Sequence, residues 1–244
     1  MVDATIVIPC FNERRRLPPY LATLCKRFER DPNVTLVVVD DGSDAGELEG
    51  VSDAIEELRR GGARQLRLVR LEKNQGKGAA LQSGFLGAST TFVGFVDADG
   101  SVDADDCALV LSTIAADPDL DAAIASRVKM LGRTIVRRNS RHALGRLFAT
   151  VLTKLFQLPV YDSQCGCKFF RREKVLSLLA AIESKRWLWD TELLILLHRR
   201  GGRIREIPVS WHETSGSKLS LWNSLVTVPY ELWSFRRTLT RRGL

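Results

Sequence analysis

Asp97-Ala98-Asp99 places two carboxylates two residues apart at the end of the apolar run 91–97, TFVGFVD. In an extended segment such residues face the same side. Both can therefore meet one hard divalent cation, which takes oxygen ligands and commonly shares them with substrate phosphates. A second acid pair, Asp40-Asp41, closes the run 34–40 and leads into Gly42-Ser43, and Pro9-Cys10-Phe11-Asn12-Glu13 ends a third run in polar groups. The competing use of each acid is to cap the helix that follows, a reading that is stronger for Ser43 and Asp44 than for Asp97 and Asp99. Asn74-Gln75-Gly76-Lys77-Gly78-Ala79-Ala80 sets a lysine between glycines at a helix start, where backbone N–H groups and the macrodipole attract anions. The segment matches neither G-x-x-x-x-G-K-[ST] nor G-x-G-x-x-G, since Leu81 stands at the third glycine position. A Walker-type loop is thereby excluded, and a dinucleotide fingerprint is not supported.

The elements that must carry these groups alternate. Residues 4–9, 34–40, 66–71, 91–97 and 121–126 are short, nearly continuous apolar runs, the pattern of strands buried on both faces of a parallel sheet. Helix-like stretches near 17–29, 44–60, 76–88 and 103–116 separate them, the first with Leu17, Leu21, Leu24 and Phe28 at helical spacing. Repeated β-α-β alternation predicts an α/β, doubly wound, mostly parallel sheet with right-handed crossovers. Such sheets bind ligands beyond the carboxyl ends of their strands, where the acids stand. The second half predicts a basic amphipathic helix over 136–157, a polar turn YDSQCG, a strand CKFFRR, helices near 173–182 and 190–200, and a strand at 203–209.

Of 244 residues 45% are apolar, so the chain folds, and its length suits one large domain. The net charge of +7 is unevenly spread: residues 1–126 carry −8 and residues 127–244 carry +15. That asymmetry points to an anionic partner for the second half. Nucleic acid is disfavoured, because zinc-finger, helix-turn-helix and RNP signatures are all missing. The five cysteines, an odd number, form no zinc pattern and suit a reduced cytoplasmic setting. No apolar run approaches the ~20 residues of a membrane span, so the chain is expected to lie on a membrane surface at most.

The ordered set I-P-x-F-N-E, V-V-D-D-G-S, N-x-G-K-G-A-A and D-A-D resembles the inverting glycosyltransferases of family 2, which have the GT-A fold. The resemblance continues through Asp162-Ser163-Gln164-Cys165-Gly166-Cys167-Lys168, Trp189-Asp190-Thr191-Glu192, Ile207-Pro208-Val209 and Gly216-Ser217-Lys218. This later set is similar to the branch of dolichyl-phosphate glucosyltransferases and polyprenyl-phosphate mannosyltransferases. The resemblance implies a nucleotide-sugar-binding half (1–126), an acceptor half (127–219) and an amphipathic C-terminal segment (220–244) of one GT-A domain.

By that resemblance Pro9, Asn12 and Glu13 would contact the nucleoside and Asp40 the base, with Asp41 and Gly42 shaping the pocket. Lys77 would approach the base or diphosphate. Asp97 and Asp99 would hold nucleotide and a Mg²⁺ or Mn²⁺ ion. The donor is expected to be a nucleotide sugar, UDP-glucose before GDP-mannose, and the acceptor a polyprenyl or dolichyl phosphate. Arg127, Arg141, Gln164 and Lys218 are the acceptor candidates, because an acceptor phosphate needs cationic or polar donors to orient it. Twelve basic residues lie between 127 and 174, most of them needed simply as solvated surface.

Asp162 is the candidate catalytic carboxylate, with Asp190 and Glu192 as rivals whose alternative use is a helix first turn. A phosphate monoester is largely ionised at neutral pH, so Asp162 could orient the acceptor rather than deprotonate it. The family often has an aromatic residue where Cys167 stands, which would alter local acceptor contacts. Several relatives carry membrane-spanning helices. Here the stretch 220–244, with Trp222, Trp233 and a closing cluster of arginines, suits either an interfacial helix or a core-packed terminal helix. A family 2 transferase with a soluble or polysaccharide acceptor is the main alternative.

Overall fold

The computed structural model describes residues 2–128, 130–136, 156–186, 188–212, 214 and 237. Four β-branched and aliphatic runs form parallel neighbours: β1 (Ala4–Cys10), β2 (Val34–Asp40), β3 (Leu66–Arg70) and β4 (Phe92–Val96). The sheet continues with β5 (Ala122–Ser126), β7 (Cys167–Arg171) and β8 (Ile204–Pro208) in the spatial order β3-β2-β1-β4-β7-β5-β8. A two-stranded ribbon pairs β6 (Ile135–Val136) with β9 (Trp211–His212).

Both faces are covered, which is why the strands lack alternating polarity. On one face Ile6, Ile8, Leu36 and Val38 join the core formed with α1 (Leu17–Arg27), α2 (Ala45–Arg60) and α4 (Ala104–Ala116). On the other, Val7, Val37, Val39 and Phe95 pack with α3 (Lys77–Leu86), α5 (Arg172–Leu179) and α6 (Trp189–Arg199). Each strand thus sends alternate residues to opposite cores. The chain steps outward from β1 to β3, then returns beneath the sheet through α3 to β4 on the far side of β1. The reversal between β1 and β4 is a topological switch point, where doubly wound sheets leave a crevice for a ligand.

The expected α/β doubly wound sheet is present, and its first five strands and four helices start or end within two residues of the sequence reading. One feature was not foreseen. Strand β7 runs antiparallel to both β4 and β5, with Cys167 opposite Val96 and Arg171 opposite Phe92. Its first residue therefore lies at the rim where the parallel strands end, and the turn 161–166 sits against the acids that follow β4. Val136 ends β6 rather than starting a helix. Most of the basic helix expected over 136–157 lies outside the described residues, as do Trp222, Trp233 and all but Arg237 of the C-terminal segment. Among the described residues no helix is long and apolar enough to cross a membrane.

Candidate active site

The loops after β1 and β2 are stitched together by the groups assigned to nucleoside binding. Asn12 has a left-handed backbone, φ 54°. Its side-chain amide donates to Asp44 Oδ2 at 3.0 Å, and its Oδ1 accepts the Asp44 N–H at 2.9 Å. Asp44 stands at the N-cap of α2, but no side-chain cap bond forms there. Capping, the favoured alternative for Ser43 and Asp44, is thus replaced by a loop-to-loop clasp. Ser43 Oγ accepts the Asn12 N–H at 2.8 Å and donates to Asp40. Asp40 also takes the Ser43 N–H at 3.0 Å and is fully buried.

In this conformation the Asp40 carboxylate braces its own turn rather than lying open to a base. Asp41 accepts the N–H groups of Gln75 and Gly76, both at 2.8 Å. Burial pushes its carboxyl up, with those two bonds pulling the other way. Gly42 sits at φ 68°, and a Cβ there would come 2.5 Å from the Lys73 backbone; only glycine fits. Pro9 pairs opposite Val39 in β1 and β2. Glu13 binds Arg16 through both carboxylate oxygens, with one bond at 2.7 Å, and its carbonyl accepts the N–H groups that open α1.

Beyond β4 the chain turns at residues 98–99 instead of continuing extended, and the charge of Asp99 still reaches Asp97. Asp99 Oδ1 accepts the Ser101 N–H at 2.9 Å. Asp97 donates its own N–H to the Gly166 carbonyl at 2.8 Å, and its Oδ1 lies 2.6 Å from Lys77 Nζ. Burial pushes the Asp97 carboxyl up, Lys77 opposes it, and Asp99 adds to the rise. Excess negative charge at this point favours a bound cation. Among the described residues no three acid, histidine or cysteine groups form a complete metal cage. Two carboxylates fit an ion such as Mg²⁺ or Mn²⁺ that completes its shell from substrate phosphate and water.

The antiparallel β7 brings a second carboxylate centre alongside. Asp162 binds Arg127, the residue after β5, through Arg127 Nε at 2.6 Å and Nη2 at 2.7 Å, and takes the Arg127 N–H at 3.0 Å. The guanidinium carbon lies 5.6 Å from the centre of the Trp211 ring. Burial alone would raise the Asp162 carboxyl, but the hydrogen bonds and charge of Arg127 outweigh it and hold the group below its ordinary value. Such a carboxylate orients well and accepts a proton poorly. Arg127, read from the sequence as a phosphate donor, gives two of its donors to this pair. Gln164 donates to the Thr191 hydroxyl. Arg141 and Lys218 lie outside the described residues.

Several supporting groups escaped the sequence reading. Glu206, in the middle of β8, accepts the N–H groups of Tyr161 at 2.6 Å and Asp162 at 2.8 Å. Lys168 is fully buried, donating to Asp190 Oδ2 and to the Cys165 carbonyl, both at 2.6 Å. The rival acids are thereby accounted for. Asp190 neutralises Lys168, and Glu192 accepts the Glu183 and Ser184 N–H groups at 2.9 Å. The sequence signal for this was the lysine within the strand-like CKFFRR, which must be paired if its strand is buried. Cys167, which stands where the family often has an aromatic residue, faces the core beside Cys107. It is the first residue of β7 and is fully buried.

Residues 5–179 match the family described as glycosyl transferase family 2. A dolichyl-phosphate beta-glucosyltransferase of Saccharomyces cerevisiae is 31% identical over 230 residues, covering 89% of this chain and 69% of the yeast protein. The Drosophila melanogaster enzyme of the same description is 32% identical over 243 residues, covering 92% of this chain and 72% of its own. Among solved structures, mannosyl-3-phosphoglycerate synthase from Rubrobacter xylanophilus superposes with a TM-score of 0.74 at 17% identity, over 99% of this chain and 75% of that one. Glucosyl-3-phosphoglycerate synthase from Mycobacterium tuberculosis, solved with Mn²⁺, UDP-glucose and phosphoglyceric acid, gives 0.70 at 16% identity, over 100% and 80%.

Proposed function

The chain belongs to glycosyl transferase family 2 and has the GT-A fold, and from that membership we propose that it transfers glucose from UDP-glucose to a dolichyl or polyprenyl phosphate with inversion at the anomeric carbon. The observation that carries the chemistry is the meeting of two centres at one rim. Asp97 and Asp99 follow β4 at the switch point, and the Asp162–Arg127 pair reaches the same rim from β7 and β5. The identity with dolichyl-phosphate beta-glucosyltransferases supports the choice of sugar and acceptor.

In this reading the loops clasped by Asn12, Asp40 and Asp41 form the nucleoside pocket, which also takes Pro9, Glu13 and Gly42 as its walls. Asp97 and Asp99 hold a Mg²⁺ or Mn²⁺ ion, whose contribution is to neutralise charge on the diphosphate leaving group. An oxygen of the acceptor phosphate attacks the anomeric carbon as the bond to the diphosphate breaks, and UDP departs. The phosphate is already ionised near neutral pH, so no residue has to remove a proton. Asp162, held ionised by Arg127, positions and electrostatically steadies the reacting sugar. Arg127, Gln164, Arg141 and Lys218 remain the acceptor-side candidates. The basic segment 220–244 is assigned to an anionic membrane surface on the cytoplasmic side.

Purified protein with labelled UDP-glucose, Mg²⁺ or Mn²⁺ and a short polyprenyl phosphate should form a lipid-linked glucoside. GDP-mannose should serve less well, and Asp99→Ala should abolish turnover without unfolding the chain. No lipid-linked product with either donor refutes the acceptor assignment. Undiminished activity of Asp99→Ala refutes the metal assignment.

A further inference from the structure

Two lysines flank the ring of Phe95 beneath the acids. Lys168 Nζ lies 5.1 Å from the ring centre and Lys77 Nζ 5.0 Å. Their partners differ in accessibility. The Lys168–Asp190 pair is sealed, with side chains 0% and 7% exposed, whereas the Lys77–Asp97 pair is 17% and 33% exposed. A sealed ion pair is fixed architecture, because separating it would strand a charge in the interior. A partly exposed pair can exchange partners. Lys77 is also the first residue of α3, so its long, flexible stem swings from a fixed helix start.

We propose that Lys77 is a resident counter-cation that occupies Asp97 in the donor-free protein and yields it to the divalent ion only when a nucleoside diphosphate arrives. This rests on Asp97 and Asp99 being the metal-binding carboxylates. An ammonium 2.6 Å from Asp97 Oδ1 and a divalent ion coordinated by the same oxygen exclude one another, by both volume and charge. With Lys77 in place, the metal must displace an ammonium from a carboxylate and leave it beside a dication. A diphosphate removes that obstacle, since it brings negative charge for the metal and a new partner for the freed ammonium. Metal and nucleotide therefore bind cooperatively, each raising the other's affinity by the same factor. No covalent bond changes in the exchange.

The test is Mn²⁺ binding, read from the free-ion electron paramagnetic resonance signal, with and without UDP and without any turnover. Wild type and Lys77→Arg should bind Mn²⁺ weakly alone and about tenfold or more tightly with UDP. Lys77→Gln, checked for folding by circular dichroism, should bind Mn²⁺ alone about tenfold more tightly than wild type, since no charge-assisted bond has to break. Its gain on adding UDP should shrink correspondingly. Mn²⁺ affinity of Lys77→Gln equal to or below that of wild type overturns the counter-cation role, while UDP-dependent Mn²⁺ binding by wild type leaves the metal site standing. Absence of Mn²⁺ binding by wild type with UDP overturns the metal site itself, and the inference with it.

Discussion

Gly166 is the position where one methyl group should separate catalysis from stability. Its carbonyl accepts the Asp97 N–H at 2.8 Å, and its neighbour Cys167 is locked opposite Val96 in the sheet. A Cβ at Gly166 would lie 2.1 Å from Asp97 Oδ2 and 2.4 Å from Asp97 Cγ, where real Cβ contacts essentially never fall under 3.0 Å. Gly166 is not among the left-handed glycines, so alanine there adds no backbone strain. The whole burden falls on the carboxylate, which must retreat by roughly 1 Å at a site where a misplacement of ~1 Å costs about a hundredfold in rate. Gly166→Ala should therefore lower kcat/KM for the proposed donor, UDP-glucose, about a hundredfold while moving Tm by no more than a few degrees. Steady-state kinetics paired with thermal unfolding checks this. Wild-type kcat/KM would show that the position of Asp97 is immaterial, and a collapse in Tm would show that the clash is absorbed by the core instead.

Asp162→Asn should leave Arg127 beside a neutral amide and cost about 3 kcal/mol at pH 7, the scale for breaking a largely buried pair. Because Arg127 holds the Asp162 carboxyl below the ordinary value of 3.8, the native state prefers it ionised. That stabilisation is present above pH 4 and disappears as pH falls through the lowered value. The gap between wild type and variant in urea unfolding should narrow as the pH is lowered through that range; a pH-independent gap would refute the assignment. Lys168→Met should destabilise the fold by a similar ~3 kcal/mol, since Asp190 is left buried without its cation, and Lys168→Met with Asp190→Leu should recover much of the loss. Wild-type stability of the single variant in chemical denaturation would refute that pairing.

The strands and helices of the first half were legible because their causes are local. Runs such as VTLVVVD must be buried on both faces, and α1 declares its buried stripe through Leu17, Leu21 and Leu24. The carboxylates at strand ends were legible for the same reason, since the parallel strands of a doubly wound sheet all send their carboxyl ends to one rim. The direction of β7 was not legible. Five residues, CKFFR, carry the same composition whether they run parallel or antiparallel, and the choice rests on neighbours far along the chain.

What the sequence determined by itself is the inventory of the candidate site: Asp40, Asp41, Lys77, Asp97, Asp99 and Asp162, in an order that resembles one family. Their division of labour was decided only by tertiary structure. Asp40 and Asp41 brace loops, Asp97 and Asp99 gather negative charge, and Asp162 is held ionised by an arginine 35 residues away in the chain. A carboxylate's type and position in a motif are local properties. Its charge state and its partner depend on burial and on which distant cation comes within 3 Å, and only the folded chain sets those.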